Sequence, residues 1–241
     1  MIKKLINIVL LTSFFLCLPI ANEMVEETYW VHSVAHKVEP AQYKGHNIAT
    51  TFQLKYKKKQ FTITNLHVCR LPHKIVEKQR YDLNYKLLMQ NKLPIRFKKL
   101  EDIDLVGQRI IIGDYPRKIL AVDEFHDLCL LESNPNLRAF TLADDYELGE
   151  LVRVIGFPRG LNKTIRKGRI FDADTNYFDW LHREVKYVAV TAIGYPGNSG
   201  SPVINKWGNV VGVLFAGSFF HTESMIVPLA DLRNFVEING Y

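Results

Sequence analysis

The apolar content of the second half of this chain is broken into runs too short to bury a helix. LVRVIGFPRG, TIRKGRIFDAD, EVKYVAVTAI, SPVIN and NVVGVLFAG are rich in β-branched residues and separated by Gly, Pro and Asn. Many short strands punctuated in this way build an all-β sandwich or barrel. The first half continues the pattern. NIATTFQLKY and FTITNLHVC flank the polar KKKQ and predict a hairpin, with His67 at the end of its second strand. RIIIGDYPRKILAVDEF and DLCLLES read as two more strands, the second apolar enough to be buried. Residues 70–105 mix a weak helical pattern with an extended one and are read as decorated loop and strand. Only the C-terminus is convincingly helical: after Pro228, Leu229, Leu232, Phe235 and Val236 recur at helical spacing, which predicts a helix packed on the second half. The turn-rich, acidic SNPNLRAFTLADDYELGE divides the chain, so residues 22–135 and 136–241 are expected to form two comparable units.

Residues 1–21 have a different character. Lys3 and Lys4 precede an apolar run from Leu5 to Ile20, then small and polar residues around Ala21 and Asn22. This is the pattern of an export signal, predicting a periplasmic or secreted protein, with an uncleaved N-terminal anchor as the alternative. Beyond this leader only Cys69 and Cys129 remain, and they are either two buried thiols or a disulfide. The net charge of +6 on 241 residues is mild, and the basic residues cluster in short runs at 57–59 and 96–99. They are read as solvated turns, and no nucleic-acid partner is expected.

The chemistry concentrates in Gly194-Tyr195-Pro196-Gly197-Asn198-Ser199-Gly200-Ser201-Pro202-Val203. Glycine and proline at this density force a tight backbone whose N–H groups can converge on one point beside a serine hydroxyl. Such a nucleophile needs a base, and the base needs an orienting carboxylate. TNLHVC offers His67, and FHDLCLL offers Asp127 at the mouth of an apolar strand, where a carboxylate is costly unless it accepts a hydrogen bond. Asp123 and Asp104 are the rival carboxylates, but neither is followed by an apolar strand. The remaining histidines, His126 among them, are read as surface or structural.

Taken together, TNLHVC, HDLCLL and GNSGSPV resemble, in order, the histidine, aspartate and serine segments of trypsin-like serine peptidases. GNSGSPV is similar to the glutamyl endopeptidases, and LGELVRVIGFPRGLNKTIRKGRI to the Htr-type proteases. The resemblance implies two antiparallel six-stranded β-barrels and an endopeptidase acting on polypeptide substrates without metal or cofactor. It implies that Ser199 attacks the scissile carbonyl, His67 moves its proton, Asp127 holds the imidazole, and the N–H groups of Gly197 and Ser199 form the oxyanion hole. The specificity pocket would be lined by Ile193, Gly194, Phe215, Ala216, Gly217 and Ser224, apolar at its base because Ile193 stands where a trypsin carries aspartate. Asn198 replaces the aspartate that vertebrate zymogens pair with a new N-terminus, so that activation switch is not expected. The PDZ domain usual in Htr-type proteases is not expected either. A second reading is a catalytically silent binding module on the same fold.

Overall fold

The computed structural model describes residues 28–31, 34–38, 41–45, 49–70, 89–90, 105–107, 109–112, 115–133, 138–178, 184–217 and 223–240. The leader at 1–21 and almost all of the stretch read as decorated loop and strand lie outside them. In chain order the first strands are β1 (Thr28–Val31), β2 (Val34–Val38), β3 (Ala41–Gly45), β4 (Ala49–Tyr56), β5 (Lys59–Asn65), β6 (Arg109–Ile112), β7 (Tyr115–Asp123), β8 (Leu128–Glu132) and β9 (Phe140–Thr141). They make a sheet in the order β1-β4-β5-β8-β7-β6, which β9 joins by pairing with β4, while β2 and β3 form a separate hairpin. The second half supplies β10 (Leu151–Gly156), β11 (Thr164–Phe178), β12 (Glu184–Val190), β13 (Pro202–Ile204), β14 (Val210–Gly217) and β15 (Ser224–Val227). These close into a six-stranded barrel in the order β10-β11-β12-β15-β14-β13.

The β4–β5 hairpin turns at Lys57 and Lys58, with Tyr56 opposite Lys59 and Lys57 in the left-handed region at φ 53. Both faces of these two strands are buried. Ala49 packs with Leu66, Ile119 and Leu131 inside the first sheet, whereas Phe52, Leu54, Phe61 and Ile63 pack with Ile155, Ile204, Val213 and Val227 of the barrel. The largest core cluster is thus the seam between the two sheets. Removal of apolar surface from water holds them together, at about 2 kcal/mol for each fully buried Phe or Leu side chain.

Three expectations change. RIIIGDYPRKILAVDEF is two strands, because Ile112 pairs with Tyr115 across the two-residue Gly113-Asp114 connection, a sequence suited to a tight hairpin. The helix, Leu229–Asn239, does not serve the second half alone: Leu232, Phe235 and Val236 belong to the cluster shared by both sheets. Its polar side also reaches both. Tyr56 Oη donates to Glu237 at 3.2 Å, and Arg233 donates to the carbonyls of Ala143 and Asp144 at 2.6 and 2.7 Å. Finally, Phe140 and Thr141, inside the stretch read as linker, pair in parallel with Leu54 and Lys55.

Candidate active site

Strand β5 ends at Asn65, and residues 66–70 form a helical turn, so His67 stands just past the strand instead of on it. Leu66 and Val68 on either side are buried, while His67 is half-exposed at the surface of the sheet. Asp127 closes the turn at 124–127 that leads into β8, in the left-handed region at φ 55, which the short polar side chain of Asp tolerates. Its two carboxylate oxygens grip one residue. Oδ1 accepts the His67 backbone N–H at 2.8 Å, and Oδ2 meets His67 Nδ1 at 2.6 Å. The Asp127 carbonyl in turn accepts from Leu66 N–H at 3.0 Å and Asn65 Nδ2 at 3.1 Å. Backbone and ring of His67 are therefore fixed by one residue. With Nδ1 engaged by the carboxylate, Nε2 is the nitrogen left to exchange a proton.

The rival Asp123 is committed elsewhere. It accepts the N–H groups of Phe125 and His126 and meets His126 Nδ1 at 2.7 Å. Asp104 lies outside the described residues. Two residues beyond His67 and Asp127, Cys69 and Cys129 are joined in a disulfide with Cα atoms 6.7 Å apart, which decides the alternative the sequence left open.

Ser199 lies half-buried in the connection between β12 and β13. Gly197 and Gly200 have φ values of +100 and +84, conformations that L side chains rarely adopt. Asn198 N–H donates to Tyr195 O and Ser201 N–H to Asn198 O, both at 2.9 Å, which folds the segment into successive turns. Among the described residues the N–H groups of Gly197 and Ser199 donate to no acceptor. They are the two groups assigned to the oxyanion hole.

Thr50 of β4 latches this segment to the first sheet. Its N–H donates to Ser199 O at 2.8 Å, its Oγ1 donates to Gly197 O at 2.9 Å, and the same Oγ1 accepts Phe157 N–H at 3.2 Å. Thr64 Oγ1, three residues before His67, donates to Thr50 O at 2.9 Å. Gly200 sits so close that a Cβ there would collide with Thr50 O and Thr64 Oγ1. The serine segment of the barrel thus rests on the two strands that lead to His67. Nothing in the spacing of the sequence singles out Thr50 or Thr64; the one signal is the density of threonines, at 50, 51, 62 and 64, on the two strands.

The expected pocket residues are brought together as two facing segments. Ile193, Gly194, Phe215 and Ala216 are half-buried and Gly217 is exposed. A Cβ on Gly217 would lie 2.9 Å from Gly194 O, so the two backbones are in near contact. Ser224 is fully buried, accepts Gly194 N–H at 2.6 Å and donates to Ala192 O at 2.6 Å. It braces the wall; its hydroxyl does not line it. Phe215 packs edge-on to Tyr187, with ring centroids 6.5 Å apart.

A model of the trypsin-like peptidase domain matches residues 55–213 of the chain. An uncharacterized protein, y4bJ, of Sinorhizobium fredii is 34% identical over 101 residues, which cover 41% of this chain and 16% of that protein's length. In fold, the chain is similar to the active form of the Rv3671c protease of Mycobacterium tuberculosis, with a TM-score of 0.60 at 18% identity, covering 92% of this chain and 84% of the other. It is similar also to a serine endoprotease of Yersinia pestis, with a TM-score of 0.54 at 16% identity, covering 90% and 65%.

Proposed function

Because the chain belongs to the trypsin-like peptidase domain family, we propose that it is a serine endopeptidase that cleaves polypeptides through an acyl-enzyme on Ser199. The observation that carries this reading is the grip of Asp127 on both the backbone and the ring of His67, together with a serine turn that has two uncommitted N–H groups and rests on the strands leading to His67. Ser199 Oγ attacks the scissile carbonyl carbon as its proton passes to His67 Nε2. The imidazolium so formed is stabilised by Asp127 Oδ2, and the oxyanion by the N–H groups of Gly197 and Ser199, at about 3 kcal/mol per donor. His67 then delivers its proton to the leaving amine. Water, deprotonated by the same nitrogen, attacks the ester carbonyl; the acyl–Oγ bond breaks, His67 passes that proton to Ser199 Oγ, and the carboxyl product leaves.

We further propose that residues 1–21 direct the protein out of the cytosol. Their charge and apolar pattern supports this, and so does the Cys69–Cys129 disulfide, since such bonds persist chiefly in oxidising compartments. N-terminal sequencing of the protein recovered from outside the cytosol should begin at or near Asn22; recovery only in the cytosol contradicts export.

A fluorophosphonate probe tests the catalytic reading, because it reacts with a serine only when that serine is activated as a nucleophile. Labelling of the wild-type chain at Ser199, lost in Ser199→Ala and strongly reduced in His67→Ala, is the expected result. Absence of labelling in the folded wild type favours the binding-module reading.

A further inference from the structure

Against the serine segment, with Tyr195 in its wall, lies a pocket of about 860 Å³ whose lining carries three cations, Arg159, Lys163 and Arg166, and no carboxylate. Two aromatic residues, Phe157 and Tyr195, complete the part that matters here. The guanidinium groups of Arg166 and Arg159 converge on the Tyr195 ring, 4.8 and 5.5 Å from its centroid, and Lys163 Nζ stands 5.7 Å from that of Phe157. Neither arginine meets a carboxylate among the described residues. Arg166 Nε is buried there without a hydrogen-bond partner. Two like charges held at one ring, with a buried donor unused, are a poor arrangement for an empty surface and a good one for an anion. Guanidinium groups held against an aromatic ring keep their N–H edges available to a carboxylate.

The pocket is tied directly to the candidate active site. Arg159 N–H donates to Pro196 O at 2.6 Å, and Arg159 adopts the left-handed region at φ 57, an uncommon conformation for a residue other than glycine. Tyr195 is four residues before Ser199. A four-residue segment spans at most about 14 Å, and an extended substrate advances about 3.3 Å per residue. The pocket is therefore within about four substrate residues of the bond to be cut. Its volume exceeds the needs of a small free anion, and the apolar Phe157, Pro158 and Leu161 suit the stem of a side chain.

We propose that this pocket is a specificity subsite that takes an acidic side chain, Asp or Glu, at one fixed position within about four residues of the scissile bond. The inference rests on the peptidase reading for its position, and on the pocket alone for its charge. Its lining shares no residue with the walls at 193–194 and 215–217, which carry no charged residue.

Two measurements test it. The purified chain is used to digest a library of proteome-derived peptides, and the cut bonds are read by mass spectrometry, beside the double variant Arg159→Gln, Arg166→Gln. Asp and Glu should be enriched at one position in the wild type, and the enrichment should collapse in the variant. A cut-site profile with no fixed acidic position overturns the proposal. In the second measurement, fluorescence anisotropy of Ser199→Ala compares a labelled peptide carrying Glu at that position, or a Glu-rich peptide when no cut is found, with its Gln-matched twin. The Gln twin should bind about tenfold more weakly. This arm needs no cleavage and no altered pocket, so it separates the two readings: discrimination without any cleavage sustains the subsite and counts against the peptidase. Equal binding of the twins overturns the subsite, whether or not inorganic phosphate binds the chain.

Discussion

At the scale of single residues, Asp127 does two jobs with one carboxylate. Replacing Asp127 by Asn keeps the shape but puts an amide where His67 Nδ1–H needs an acceptor, so the imidazole loses the tautomer that leaves Nε2 basic. A fall in kcat of about 10⁴-fold, with KM little changed, is expected in steady-state assays. Thr50 acts through the backbone instead. Thr50→Val keeps its shape but removes the hydroxyl that holds Gly197 O and Phe157 N–H. The expected cost is about 1–3 kcal/mol in denaturant unfolding, with a lower kcat from a less firmly held serine turn. The contrast explains what the sequence made legible. His67, Asp127 and Ser199 stand in short motifs whose residue types suggest a chemistry, and the contact between His67 and Asp127 is the part the structure shows. Thr50 and Thr64 lie in a strand and owe their role to which loop of the other sheet lands on them, and Ser224, read as pocket lining, proves to be a brace for the same reason.

Among the elements, the C-terminal helix is the least anticipated in its placement. Its apolar spacing gives away a buried stripe but not what buries it, and the stripe is split between both sheets. Hairpins were easier where the turn was polar, as at Lys57-Lys58. The pairing of β6 with β7 is missed although Gly113-Asp114 stands between them, because the Ile110-Ile111-Ile112 run reads as continuing into one strand. One histidine, set between two aspartates, makes the helix contact sensitive to pH. His126 lies 2.7 Å from Asp123 and 3.6 Å from Asp231 on the helix. The hydrogen bond with Asp123 raises the pKa of His126 against the effect of burial, and the charges of Asp123 and Asp231 add to the rise. Burial pushes Asp123 upward, but hydrogen bonds from the His126 ring and the N–H groups of His126 and Phe125, with the His126 charge, leave it below its ordinary 3.8. The raised histidine contributes stability that is fully present below its ordinary 6.5 and is lost as the pH climbs through its folded value. The lowered aspartate contributes above 3.8 and loses its contribution as the pH falls through its folded value. His126→Gln should therefore cost most stability between these limits and progressively less in alkaline solution, as read by unfolding midpoints across pH. A cost that grows toward alkaline pH contradicts the pairing.

For the whole molecule, the decisive feature is that the two sheets are joined at the candidate site. The Phe52, Leu54, Phe61 and Ile63 face of the β4–β5 hairpin binds the barrel, and the Thr50 and Thr64 positions of the same hairpin receive the serine segment. One hairpin thus both docks the halves and carries the contacts of the candidate site. Order along the chain was enough to foresee an all-β fold with a barrel in the second half. It was not enough to foresee that the first sheet continues through Phe140 and Thr141, because two residues of strand carry no period of their own. The central claim is that this assembly cuts polypeptides with Ser199, and hydrolysis of an unstructured protein by the purified chain, beside Ser199→Ala at equal concentration, tests it most directly. Fragments that appear with the wild type and vanish with the variant are the predicted result; a folded wild type that leaves the protein intact, or a variant that cuts it equally well, would contradict the account.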